Sequence, residues 1–141
     1  MTDEPLIAKK LAFIETCVHE LRTIARLELI DHDVREERFV EHTLQLAIQA
    51  ALDVASHIVS DQRLGEPTTN QDLFQLLARN RWIEPEQIAT LRAMTGFRNV
   101  LVHGYADVDR AIVRDVVEHH LGDLLQFVVG IRARLHSGPA T

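Results

Sequence analysis

In the stretch GFRNVLVHGYADVD, residues 96–109, an apolar, helix-like run carries Arg98, Asn99, His103 and the only tyrosine of the chain, Tyr105. These side chains can do chemistry on a phosphate. Arginine presents a planar fork that pairs with phosphate oxygens. Histidine exchanges a proton near neutral pH. At about 100° per residue, Arg98 is in phase with Leu91, Met94, Leu101 and Val102, so it sits within the apolar stripe rather than on its rim. An unpaired guanidinium buried there costs several kcal/mol, so it must meet an anion or open into a cleft. Asn99 and His103 are four residues apart and share a flank of the helix. Gly104 is a natural helix stop, and Tyr105 follows where the chain turns back.

Spacing alone leaves three uses for such a set. One is a structural ion pair from Arg98 to Asp53, with His103 capping the helix. The second is catalysis, with Arg98 offsetting phosphate charge and His103 moving a proton. The third is binding of a phosphate or nucleotide without chemistry.

The elements that position these residues read as helices throughout. Ile7, Leu11, Ile14, Val18, Leu21 and Ala25 form one stripe over residues 5 to about 30, with Pro5 at the first turn. Asp31–His32–Asp33 breaks that run and caps a second helix over roughly 34–61. Its stripe is Val40, Leu44, Ala47, Ile48, Ala51, Val54, Ala55 and Ile58. Between His42 and Ser60 its only formal charge is Asp53. A helix so neutral is expected to be buried on more than one side, which points to self-association. A loop with Gly65 and Pro67 leads to a short helix capped by Thr69 or Asn70 and ending near Asn80. The next helix starts at Pro85 and runs to His103. A last one, capped at Asp109, runs to Leu135 with Val113, Val116, Val117, Leu121, Leu124, Val128 and Ile131 on its apolar face. The expected fold is an all-α, antiparallel bundle of about five helices, a single domain over residues 1–141 with a frayed tail at 136–141, forming a homodimer.

Composition narrows the class. With 46% apolar and 26% charged residues the chain is globular, and no apolar run reaches the ~20 residues of a membrane span. The N-terminus has no signal-peptide pattern. A lone cysteine, Cys17, fits packing in a reducing, cytoplasmic setting. The net charge of −6 argues against a general nucleic-acid coat but leaves room for a local basic cleft, and no DNA partner is expected. Thirteen of the fifteen basic residues are arginine, which suits bidentate anion contacts.

The string RNVLVHGY resembles the Arg-x4-His-x-Tyr signature of the HepT-like toxins, within the HEPN superfamily of small helical ribonucleases. Upstream blocks extend the similarity. LQLAIQAALDVASHIVS is similar to that family's second helix, GEPTTNQDLFQLLARNRWI to its loop and third helix, and LRAMTGFRNVLVHGYADVD to its fourth helix and turn. The resemblance covers roughly residues 36–110, and Arg98, Asn99, His103 and Tyr105 each match. It implies a metal-independent RNA endonuclease without cofactors, working as a dimer whose motifs meet in one cleft. His103 would act as general acid or base, Arg98 as phosphate clamp, and Asn99 would hold the histidine or a phosphate oxygen. It also implies a partner, a minimal nucleotidyltransferase antitoxin that transfers AMP to Tyr105, so that adenylylation blocks RNA. The alternative within the family is a non-catalytic module that binds nucleotide or the transferase.

Other residues carry lesser expectations. Asp53 would support Arg98 at the cleft, and His57, one turn on, would pack. Eight histidines offer no metal-ligand spacing, so no metal is expected. Arg79, Arg81 and Arg92 could rim the site, and Trp82 should anchor the short helix to the long one.

Overall fold

The computed structural model describes residues 3–103 and 108–137. Gly104, Tyr105 and the end of the tail, 138–141, lie outside the described residues. Those described contain six α-helices and no strand: α1 (Glu4–Thr23), α2 (Val34–Asp61), α3 (Asp72–Arg79), α4 (Ile88–His103), α5 (Arg110–His119) and α6 (Leu121–His136). None is long and apolar enough to cross a membrane.

Local chemistry explains most boundaries. The Asp3 carboxylate accepts the Leu6 N–H at 3.2 Å, with Pro5 in the first turn of α1. α1 stops at Thr23, earlier than its stripe suggested. Ile24 is 59% exposed, so the apolar face has run out, and the chain passes through a 3₁₀ turn at Leu27–Leu29 that buries Ile30. Asp33 caps α2 by accepting from the N–H groups of Arg35 at 2.9 Å and Glu36 at 3.4 Å.

The α3 entrance departs from expectation. Neither Thr69 nor Asn70 caps it. Instead, the Asp72 carboxylate reaches back to accept from the Thr68 and Thr69 N–H groups at 3.1 and 3.3 Å. Gly65 is required in this loop, because its φ is +143° and an added Cβ would lie 2.9 Å from a Leu76 methyl. Pro85 opens a single 3₁₀ turn, Pro85–Gln87, and α4 proper begins at Ile88.

The expected last helix is broken in two. His120 leaves the helical region with φ −124° and ψ 0°, and its ring bridges the break. Nδ1 lies 3.0 Å from Asp123 and Nε2 3.2 Å from Asp115. The apolar residues stay in phase on both sides, which is why the sequence reads as one helix. Five helices become six.

α2 is the central element, packed against α1, α3, α4 and α6. Thr43, Leu44, Ala47, Ile48, Ala50, Ala51, Leu52 and Val54 are all buried along it. Its neutrality is therefore accounted for largely by burial within one chain. Phe74 of α3 meets Phe127 of α6 edge to face, with ring centroids 6.1 Å apart. Trp82 is buried as expected, and the Arg134 guanidinium lies 4.9 Å from its ring centre. Arg132 of α6 grips Glu15 of α1 through both ends of its fork, at 2.7 and 3.1 Å.

Candidate functional site

The motif residues lie on the last two turns of α4. Leu91, Met94, Thr95 and Leu101 are its buried residues, and Thr95 satisfies its hydroxyl by donating to the Leu91 carbonyl at 3.0 Å. Arg98 lies in phase with this stripe, half-buried. Its Nη1 donates to the Asn99 Oδ1 at 2.8 Å, whereas its Nε is buried without a hydrogen-bond partner. One donor of the fork is engaged and Nε is left unpaired. Asn99 orients the guanidinium rather than the histidine.

His103 is exposed at the end of α4 and makes no side-chain hydrogen bond to another described residue. It does not cap the helix with its ring. On an ideal helix five residues turn through 500°, which leaves His103 about 140° around the axis from Arg98. One copy of α4 therefore does not aim both groups at the same point. Tyr105 lies outside the described residues.

Asp53 does not pair with Arg98. Its carboxylate accepts from Lys10 of α1 at 3.2 Å and from Gln49, one turn earlier on α2, at 2.8 Å. This is a correction to the sequence expectation, with a plain cause: α1 covers that face of α2, so the nearest cation is the lysine on α1. Asp53 fastens two helices and leaves the arginine without its expected anion. His57 is half-buried on α2, in keeping with packing, while Arg79, Arg81 and Arg92 are each exposed. Arg81 has φ +65°, an uncommon backbone state for a side chain with a Cβ. Among the described residues no group of three His, Cys, Asp or Glu side chains is placed to hold a metal ion.

Sequence reasoning missed a second set. An open groove of about 860 Å³ runs beside the end of α4, with Glu37, Arg38, Glu41 and His42 from α2, Leu101 from α4 and Arg110 from α5 among its lining residues. Arg110 Nε donates to Glu37 at 2.8 Å, and Arg114 pairs with Asp31, so α5 is tied to the start of α2 just after the motif. Glu41 Oε2 is buried without a partner. Burial pushes the Glu41 carboxyl above its ordinary value and the Glu37 carboxylate adds to this, while Arg110 and Arg38 pull it back. Positions 34, 37, 38, 41, 42 and 45 follow helical phase, a stripe that was visible before folding.

Comparison with known proteins adds to this geometry. The family model described as HepT-like, "Ribonuclease HepT-like", matches residues 14–131. The chain is 35% identical over 129 residues to a protein of Shewanella oneidensis described as an mRNA nuclease HepT, covering 91% of this chain and 97% of that one. It is 32% identical over 109 residues to a tRNA nuclease HepT of Aphanizomenon flos-aquae, covering 75% of this chain and 74% of that one. Its structure is similar to the tri-AMPylated Shewanella oneidensis HEPN toxin solved in complex with MNT antitoxin. There the TM-score is 0.85 and the identity 35%, over 95% of this chain and 100% of that one.

Proposed function

This chain belongs to the HepT-like ribonucleases, and we propose that it is the toxin of a toxin–antitoxin pair, an RNA endonuclease restrained by AMP transfer from a nucleotidyltransferase. One observation carries the proposal: Arg98 stands in an apolar stripe with its Nε unpartnered and its Nη1 steadied by Asn99. A cation so placed, with no anion bound to it among the described residues, is set to receive one from outside, and the anion an RNA strand offers is a phosphodiester.

The reaction needs no metal in this proposal. The RNA 2′-hydroxyl attacks the adjacent phosphorus as a base takes its proton. The bond from phosphorus to the 5′-oxygen breaks as an acid protonates that oxygen, leaving a 2′,3′-cyclic phosphate and a 5′-hydroxyl. Arg98 offsets charge growing on the non-bridging oxygens, and His103 serves as acid or base. The angular separation of the two groups on α4 supports a site completed by a second copy. In a two-fold dimer each arginine can work with its partner's surface, and two histidines can divide the acid and base roles. Tyr105, matching the motif tyrosine, is the proposed AMP acceptor. A nucleotide there adds bulk and negative charge where RNA must enter.

Expression without the antitoxin should arrest growth. Arg98→Ala and His103→Ala should each abolish the arrest while folding and associating as the parent does. Undiminished toxicity in His103→Ala would end the catalytic proposal and favour a module that only binds. For Tyr105, co-expression with a nucleotidyltransferase encoded beside it should raise the intact mass in whole AMP increments. An adduct surviving Tyr105→Phe would contradict the assignment.

A further inference from the structure

Two acidic side chains, Glu37 and Glu41, stand one turn apart on α2 and meet at the groove beside the end of α4. Their carboxyl groups are hydrogen-bonded to each other. Like charges in contact disfavour one another, so one of the pair keeps its proton. Glu37 accepts the Arg110 Nε–H at 2.8 Å, which marks it as the acceptor. Glu41 is then the donor, since a protonated carboxyl offers an O–H and an ionised one only accepts. The burial of Glu41 Oε2 agrees, because no N–H or hydroxyl of the described residues reaches that oxygen to steady a charge on it. Desolvation holds Glu41 above its ordinary carboxyl value, Glu37 acts in the same direction, and Arg110 and Arg38 oppose them. The charged and titratable groups around it are Glu37, Arg38 and His42 on α2 and Arg110 on α5. From α4 the same wall receives the apolar Leu101.

This run of contacts sits where the chain leaves the motif helix. Arg110 opens α5 seven residues after His103 closes α4. Arg114, one turn further along α5, binds Asp31, so α5 is docked on the start of α2 at two points. Leu101, in the last turn of α4, is buried. We infer that Glu41 acts as a neutral carboxylic acid that donates its proton to Glu37, and that the resulting Glu41–Glu37–Arg110 chain positions the end of the motif helix for RNA cleavage. Glu41 touches no substrate in this arrangement and is a positioning residue. With its proton in place it steadies the carboxylate that grips Arg110. Once the proton is lost, two negative charges face each other a turn apart, and the grip on α5 loosens. Misplacing a catalytic group by about 1 Å can cost on the order of 100-fold in rate, so a small shift at the end of α4 is enough to register.

The inference rests on the ribonuclease proposal, and one experiment separates the two. RNA cleavage by purified full-length protein is followed from about pH 5 to about pH 8, above the ordinary carboxyl range. The wild type, Glu41→Gln, Glu41→Leu and His103→Ala are compared, with kcat, KM and melting temperature measured at each pH. Glutamine keeps an N–H donor for Glu37 at every pH, and leucine has none. Glu41→Gln should match the wild type at the acid end and exceed it progressively as the pH rises through the raised Glu41 value. Glu41→Leu should lower kcat about tenfold at the acid end with KM unchanged. Its melting temperature should be no lower than the parent's, since it removes a desolvated polar group. Parallel pH profiles for the wild type and Glu41→Gln overturn the assignment. So does a Glu41→Leu variant that cuts like the parent, or one whose lost cleavage follows a lowered melting temperature. Any of these failures, with the wild type cutting and His103→Ala inactive, leaves the ribonuclease proposal standing. A wild type that cuts no better than His103→Ala overturns that proposal and the positioning role with it.

Discussion

The half-buried Arg98 guanidinium is held at Nη1 by Asn99 and has no hydrogen-bond partner at Nε among the described residues, which weighs against a structural ion pair. Breaking a structural ion pair by removing one partner would cost about 3–5 kcal/mol. Here the expected partner, Asp53, is already bonded to Lys10 and Gln49. Arg98→Lys should therefore leave thermal unfolding nearly unchanged while lowering RNA cleavage about 100-fold or more, because an ammonium cannot present two parallel donors to a phosphate. Paired melting curves and cleavage rates check this. A variant that loses stability in step with activity would return Arg98 to a structural role.

At the scale of elements, the packed core and a few polar clasps hold the motif helix in position. Phe127 of α6 is fully buried against Phe74, and Phe127→Ala should cost about 3–5 kcal/mol in denaturant unfolding. The α5–α6 break depends on His120. A hydrogen bond to Asp123 raises its pKa above the ordinary 6.5 against an opposing burial penalty, and the Asp115 and Asp123 charges add to the rise. A raised histidine stabilises the fold fully below its unfolded value, and that contribution fades as pH rises through the folded one. From pH 6 to pH 9 the wild type should therefore lose more melting temperature than His120→Asn. Glu15 behaves in the opposite sense. Its hydrogen bond to Arg132 holds the carboxyl below its ordinary range, so its contribution is present above that range and is lost as the pH falls through the lowered value. Glu15→Gln should accordingly flatten the acid limb of the stability curve. Both groups are largely solvated, so these differences should be modest.

At the scale of the molecule, a chain of net charge −6 that acts on RNA must concentrate its cations locally. The set beside α4 pairs Glu37 and Glu41 with Arg38 and Arg110 and carries little net charge. Contact with RNA is thus expected to involve few phosphates and to depend only mildly on salt. Association is expected to supply the rest. Two 16.0 kDa chains should sediment as one particle. In a tandem fusion of two copies, His103→Ala in one copy alone should reduce cleavage as far as the double replacement, if acid and base come from different subunits. Half-activity in that fusion would show that each copy carries a complete site.

The sequence determined what periodicity and capping chemistry control. α2 was legible almost to the residue, because Asp33 is an N-cap and the stripe from Val40 to Ile58 is unbroken. Arg98 was conspicuous as a cation in apolar phase, and the motif with its upstream blocks carried the family resemblance. What the sequence left open depends on contacts across distance. Which cation faces Asp53 is decided by α1 lying on α2, and no helical phase contains that fact. The break at His120 is decided by one ring bridging two aspartates while the apolar phase runs on undisturbed. The groove with Glu41 exists only because the end of α4 and the start of α5 come to rest beside the first half of α2. Local energies select helices, and tertiary packing alone decides which polar groups find partners and which are left to bind something else.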